Sequence, residues 1–245
     1  DKVEEFSTSN PINVGPNWSS AQEVALRAVN WTLTSAAFHG SPASTPARVE
    51  NLSRLIVQHL ERLLPTLNYA RSQHNNHLLS EALGLIIGGG FLGKADPRAA
   101  GWINQGLREF EQGIIDQIDD EGNYSQHSAN YHRMMLHLAL LYDALLRKTG
   151  RKMPQSVSTK LALATRWLVS QIEPINGHVP NLGHNDGTLL LPFGCAEYRD
   201  YRPVAQAAAI AFLDKPCLPH GEWDELAAWL GLDYDTHEVI NSASI

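Results

Sequence analysis

Strongly apolar helices alternate along this chain with helices that keep one polar face. The stretch 76–92 is apolar nearly all round, whereas the helix predicted before it, over 46–67, carries its charged residues on one side. A helix that is apolar all round must be buried, and one with a polar face lies at the surface. The alternation therefore predicts an all-α protein in which inner and outer helices follow one another.

The strongly apolar helices recur at a regular interval. They are predicted to start near residues 20, 76 and 127, a period of roughly 50 residues that is typical of stacked helical hairpins. Amphipathic helices are predicted over 46–67, after Pro97 and after Pro154, and a weaker pair over 203–213 and 221–230. The pattern predicts an incomplete (α/α) toroid, an inner ring of helices wrapped by an outer ring. An open α-solenoid is the alternative.

Composition divides the chain into three parts. Residues 1–18 are rich in glycine and proline and predict an extended lead-in, and residues 19–232 hold the predicted helices. A polar loop over 173–202 interrupts them, and loops of this length are commonly functional. Residues 233–245 show no clear pattern and predict a tail.

Charge and hydropathy limit the classes of partner. The formal net charge of −7, without a basic run, disfavours nucleic acid, so an anionic ligand would need a local positive site. Polar residues and glycines interrupt the longest apolar stretch, which predicts no membrane span. Cys195 and Cys217 match no disulfide framework or zinc spacing. No signal peptide is visible, and Asp1 at the first position indicates a processed chain or a fragment.

Polar residues cluster where two inner helices begin. Asn76 and His77 open one of them, and Tyr131 with His132 lies in the first turns of another. Inner helices of an up-and-down arrangement point the same way, so we expect both groups at one end of the ring. Helix N-termini make that end attractive to anions.

These side chains suit acid–base chemistry. Asn76 offers a neutral amide donor for a carboxylate or an oxyanion. His77 and Glu81 are four residues apart, so we expect the carboxylate to fix the imidazole tautomer. Tyr131 offers a phenol that donates a proton, or accepts one where positive charge lowers its pKa. Further candidates for substrate binding are Gln126, His127, His132, Arg133, Asn181, His184 and Asp186.

Structural roles are the alternative for the same residues. Asn75 or Asn76 fits a helix N-cap, and Tyr131 fits a core tyrosine with a satisfied hydroxyl. Spacing alone identifies no reaction.

Four separated blocks resemble the heparinase II/III superfamily of polysaccharide lyases. They are the segments 18–31, 75–85, 120–132 and 180–187, and they occur in the order of that family. The resemblance implies an incomplete (α/α) toroid followed by an antiparallel β-sandwich domain. Because no run of alternating strands is visible here, we expect a fragment whose tail leads to that domain.

The resemblance also implies an activity, the β-elimination of uronic-acid polysaccharides such as glycosaminoglycans or alginate. Tyr131 matches the acid/base tyrosine of the family, and Asn76 with His77 matches the pair that neutralises the uronate carboxylate. Gln126 stands where the family often has Glu, and a histidine of the sandwich domain has no counterpart here. The expected partner is an anionic polysaccharide and the expected location is secreted or periplasmic. No cofactor or metal is expected, unless a metal binds the sandwich domain; the oligomeric state stays open.

Two other functions fit the residues. An inverting glycoside hydrolase needs two carboxylates, for which Glu81 with Asp186 or Asp120 is the available set. A non-catalytic glycan-binding module needs none.

Overall fold

The computed structural model describes residues 2–233 and 239. Its α-helices are α1 (Lys2–Ser9), α2 (Ala21–Ala37), α3 (Pro46–Leu63), α4 (Leu67–Ser72), α5 (Asn76–Leu92), α6 (Ala99–Gln117), α7 (Ala129–Thr149), α8 (Gln155–Gln171), α9 (Arg202–Leu213) and α10 (Glu225–Trp229). No β-strand occurs within the described residues, where an isolated antiparallel bridge joins Ile118 to Tyr124. The all-α prediction is confirmed, and the toroidal arrangement stays a prediction.

The chain divides into two compact units, Asp1–Gly113 and Ile114–Ile245. Helices α1 to α5 belong to the first unit and helices α7 to α10 to the second. The predicted boundaries after residues 18 and 232 stay predictions. Most of the predicted tail over 233–245 lies outside the described residues.

Helix α5 is the most deeply buried helix of the first unit, with nearly every residue inaccessible to solvent. Its glycines allow the neighbouring helices to approach closely. A Cβ atom on Gly84 would lie 3.0 Å from the Cβ of Ala25 in α2, and one on Gly88 would lie 2.7 Å from Leu60 in α3. A larger residue at either position would therefore overpack the core.

The segment Asn76–Ala95 is long and apolar enough to cross a membrane by length and composition. One such helix is weak evidence for a membrane span, and the absence of a span stays a prediction. Of an 18-residue window within this segment, 72% is buried, as in the core helix of a folded domain.

Helix α3 is shorter than the predicted 46–67. It ends at Leu63, and a 3₁₀ turn over Leu64–Thr66 leads into α4. Pro65 explains the difference, because proline has no N–H to donate and its ring clashes with the carbonyl one turn earlier.

The predicted lead-in is not extended throughout, since it contains helix α1. Phe6 of α1 packs edge-on against Trp31 of α2 with their ring centroids 5.6 Å apart. The Arg27 guanidinium lies 4.5 Å from the centroid of the Phe6 ring. Aromatic and cation–π contacts therefore hold α1 against α2. Because the partners lie far apart in the chain, these contacts produce no local sequence pattern that would predict the helix.

Helix α7 is the central buried helix of the second unit. Met135, Leu138 and Tyr142 follow Tyr131 at steps of four, three and four residues and form an apolar stripe, and all three are fully buried. Helix α8 contributes Leu161 and a matching apolar face to the same core. The stripe leaves Tyr131, at the first turn, half-buried at the edge of this core.

Candidate active site

Helix α7 begins at Ala129 rather than at the predicted His127. Ser128 is the N-cap, and its side chain accepts a hydrogen bond from the backbone N–H of Tyr131 at 3.1 Å. His127 has a φ of 47°, which is outside the helical region. A serine hydroxyl is a preferred cap, so the helix starts where Ser128 satisfies a free N–H group.

The loop that precedes α9 lies against this helix start. The Ser128 hydroxyl donates to the carbonyl of His184 at 2.5 Å, and the Ala129 N–H donates to the carbonyl of Leu182 at 3.1 Å. Gly183 lies between these two contacts with a φ of 66°. The polar loop over 173–202 is therefore docked at this point by its backbone.

Gly183 is required for this docking. A Cβ atom at this position would lie 2.1 Å from the carbonyl oxygen of His127, which is backbone and cannot rotate away. We expect Gly183→Ala to lower the free energy of unfolding by about 1–3 kcal/mol, since it adds a clash to the cost of a positive φ. Denaturant unfolding measures the change.

Gly187→Ala is the matched control. Gly187 has a φ of 80° in the same loop, but an added Cβ would meet nothing within 4 Å. It therefore carries the backbone cost without the clash. Equal losses in the two variants would contradict the close contact at Gly183.

The docked loop brings Asp186 to Tyr131. The Tyr131 hydroxyl donates to Asp186 Oδ2 at 2.8 Å, and the Asn130 side-chain amide donates to Oδ1 at 3.2 Å. The Thr188 N–H also donates to Oδ1, at 3.0 Å. Asp186 is therefore held by three donors, one of which is the predicted catalytic phenol.

Burial and this contact together determine how both groups ionise. Partial burial raises the pKa of Tyr131 to about 12, and the hydrogen bond to Asp186 and its charge add to the rise. Burial raises the pKa of Asp186, but hydrogen bonds from Thr188 and Tyr131 outweigh that effect, so the pKa lies below its usual value. At neutral pH the pair is a protonated phenol and a carboxylate.

Asp186→Asn tests the coupling between the two groups. Removing the carboxylate charge favours the phenolate, so we expect the pKa of Tyr131 to fall from about 12 towards the ordinary tyrosine value of about 10. Phenolate absorbance followed during a pH titration, with Tyr131→Phe to assign the transition, measures the shift. An unchanged Tyr131 titration would rule out the coupling.

Arg133 holds the loop from inside the second unit. Its guanidinium donates to Asn130 Oδ1 at 2.7 Å and to the carbonyls of Tyr198 at 2.5 Å and Thr188 at 3.3 Å. It also lies 4.4 Å from the ring centroid of Tyr198 and 4.3 Å from that of Tyr201. Among the described residues, its hydrogen-bond acceptors are all neutral. The charge is therefore stabilised by carbonyl dipoles and aromatic faces.

His132 and Arg133 do not reach the surface where substrate contact was predicted, since each is 1% exposed. The His132 ring stacks on Trp167 at 4.5 Å, and its Nε2 hydrogen-bonds to the Ala164 carbonyl at 2.8 Å. Burial lowers the pKa of His132 to about 4, so the ring is neutral. Successive helical residues point about 100° apart, which turns both side chains inward when Tyr131 faces out.

The other candidates in this unit lie nearer to solvent. Gln126 is half-buried, and His127, Asn181 and His184 are exposed. Asn181 Oδ1 accepts from the Asn185 side-chain amide at 3.0 Å. Substrate contacts of these residues stay predictions.

The candidates in the first unit have different surroundings from those predicted. Asn75 is the N-cap of α5, accepting from the His77 N–H at 3.0 Å, and Asn76 is buried. Glu81 accepts from Thr66 Oγ1 at 2.9 Å and makes no hydrogen bond to His77 within the described residues. Burial raises the pKa of Glu81 to about 7. The predicted contact, in which the Glu81 carboxylate fixes the tautomer of the His77 imidazole, is therefore not formed.

Asn130 and Tyr198 belong to this network but were not predicted as site residues. The Tyr198 hydroxyl lies 3.0 Å from Asn130 Oδ1 and 2.6 Å from Asn185 Oδ1. Asn130 directly precedes Tyr131, and that position was the available indication. Tyr198 is 68 residues further along the chain, and no local pattern connects it to the helix start.

Fold and site together define a class, a helical protein that presents a tyrosine–carboxylate pair at the start of a buried helix. A family model described as heparinase II/III N-terminus matches residues 6–190. The chain belongs to this family, which confirms the resemblance seen in the four sequence blocks. Searches among curated proteins and among solved structures found no match.

Proposed function

We propose that this protein is a polysaccharide lyase that cleaves a uronate-containing glycan by β-elimination, with Tyr131 as the general acid. The observation that carries the proposal is the hydrogen bond of 2.8 Å from the Tyr131 hydroxyl to Asp186, on a half-buried first helical turn. Family membership supports the reaction class.

The reaction moves one proton off the substrate and one onto it. The C–H bond next to the uronate carboxylate breaks and its proton passes to a base, for which the neutral imidazole of His77 is the proposed acceptor. A carbon–carbon double bond forms, and the glycosidic C–O bond on the adjacent carbon breaks. The departing oxygen then needs a proton, which Tyr131 supplies. No electrons leave the substrate, so the proposed chemistry requires no redox cofactor.

Tyr131 suits the acid role better than the base role. A phenol with a pKa of about 12 is protonated at neutral pH and has a proton to give. Acting as a base would require a nearby positive charge that lowers its pKa, and Asp186 has the opposite effect. The proton-accepting role that was predicted as an option is therefore disfavoured.

His77 contributes differently from the predicted charge neutralisation. Burial lowers the pKa of His77, so its imidazole is neutral at pH 7. A neutral ring donates a hydrogen bond to a carboxylate or accepts a proton from carbon, but it carries no charge to balance the uronate. We assign Asn76 and His77 to binding the uronate on the strength of the family resemblance.

The glycoside hydrolase alternative receives less support. Glu81 is 1% exposed, which keeps it from a polysaccharide, and the exposed Asp120 is paired with Lys160 at 2.7 Å. An acid and a base on opposite faces of a sugar both have to reach it.

Incubating the purified protein with heparan sulfate or alginate tests the proposal. We expect products that absorb in the ultraviolet, because elimination leaves a double bond conjugated to the carboxylate. Saturated products would indicate a hydrolase instead, and binding without any product would indicate a glycan-binding module. Either result would overturn the proposal.

A further inference from the structure

A cavity of about 400 Å³ lies in the second unit, and Asn185, the residue before Asp186, is part of its wall. Its walls include His178, Asn181, Asn185, Tyr198 and Arg199, and none of its lining residues is a carboxylate. This volume lies within the range of small-molecule sites, about 300–1,000 Å³. The cavity is therefore large enough to hold part of a ligand beside the site.

Tyr198, in the wall of the cavity, connects it to the catalytic pair through hydrogen bonds. The Tyr198 hydroxyl donates to Asn185 or Asn130, whose side-chain oxygens lie 2.6 Å and 3.0 Å away. The Asn130 amide in turn donates to Asp186. Two hydrogen bonds thus link Tyr198 in the cavity wall to Asp186, the carboxylate that accepts the hydrogen bond of Tyr131.

Arg199 gives the cavity its charge. Its side chain is exposed, and it makes no hydrogen bond or ion pair with any residue in the described part of the chain. The neighbouring Asp200 is already occupied by Arg202 at 2.8 Å. The N–H donors of the Arg199 guanidinium are therefore available to bind an anion. The formal net charge of the chain, −7, disfavours anion binding at other places on the surface.

We infer that this cavity is a subsite for an anionic group, a carboxylate or a sulfate, on a sugar next to the one that Tyr131 protonates. Arg199 makes the ionic contact, since a guanidinium fork matches two oxygens of either group. The side-chain amides of Asn181 and Asn185 in the walls suit sugar hydroxyls. The identity of the ligand as a glycan rests on the proposed function; the anion preference rests on the cavity.

Binding without turnover tests this inference. Heparin hexasaccharide and its chemically desulfated form are titrated calorimetrically into a Tyr131→Phe protein, with and without Arg199→Ala. We expect Arg199→Ala to weaken binding about tenfold to a hundredfold, as for a lost hydrogen bond to a charged group. A loss with both ligands identifies the carboxylate, and a loss confined to the sulfated ligand identifies the sulfate.

Arg151→Ala is the matched control, because Arg151 is exposed in the same unit and does not line the cavity. It removes the same charge and should leave the affinity within about twofold. Equal losses for the two variants, or no loss with Arg199→Ala, would overturn the subsite. So would the absence of binding by the parent protein. If the unsubstituted protein binds but forms no unsaturated product, only the proposed function fails.

Discussion

Tyr131→Phe is expected to reduce the formation of unsaturated product by about a hundredfold to ten-thousandfold, the usual contribution of a general acid. The substitution removes the proton donor and leaves the ring in place. Because the hydroxyl is half-buried and makes one hydrogen bond, we expect the free energy of unfolding to fall by no more than about 1.5 kcal/mol. Initial rates followed by ultraviolet absorbance, with parallel denaturant unfolding, separate the two effects.

Tyr69→Phe is the control for this prediction. Tyr69 is exposed in the first unit, and Tyr69→Phe removes the same kind of hydroxyl. The rate of product formation by this variant should therefore match that of the unsubstituted protein. Full activity in Tyr131→Phe would remove Tyr131 from the mechanism. A loss of activity accompanied by an equally large loss of folded protein would contradict the acid role in favour of a structural one.

Arg133→Met has the second largest expected effect, on stability and on the site together. Methionine fills a similar volume but leaves the partly buried carbonyls of Tyr198 and Thr188 without this donor. We expect the free energy of unfolding to fall by about 2–4 kcal/mol. The loop over 173–202 should become sensitive to proteolysis, because Arg133 is its main internal anchor, and the Asp186 contact should be lost with it.

Arg151→Met provides the comparison, since Arg151 is exposed and its replacement should change stability by less than about 0.5 kcal/mol. Arg133→Lys keeps the charge but not the planar fork, and we expect a result between those of the parent and Arg133→Met. A protease-resistant loop in Arg133→Met would show that the backbone contacts at Leu182 and His184 suffice to hold it.

Local patterns predicted much of the helical architecture. The period of the apolar residues placed α5 correctly, and it placed the start of α7 near residue 127, two residues before Ala129. Boundaries differed where a single residue overrode the pattern, as Pro65 does at the end of α3. Helices α1 and α4 carry weak patterns of their own, and contacts within the first unit decide α1.

The candidate site was predicted in part. Tyr131 stood out as a phenol in the first turns of a predicted inner helix, and Asp186 from its polar loop. Their hydrogen bond, and with it the raised pKa of the phenol, depends on a loop that returns 55 residues later. The inward orientation of His132 became evident only with its partner Trp167 in α8.

The sequence by itself determined the all-α class, the burial of α5 and α7, and the family. Only the tertiary structure decided which polar side chains meet: Asp186 with Tyr131, and Arg133 with Tyr198. The physical reason is that helix periodicity and capping are set by residues within a few positions of each other. Ionisation and substrate access depend on neighbours that the chain brings together from far apart.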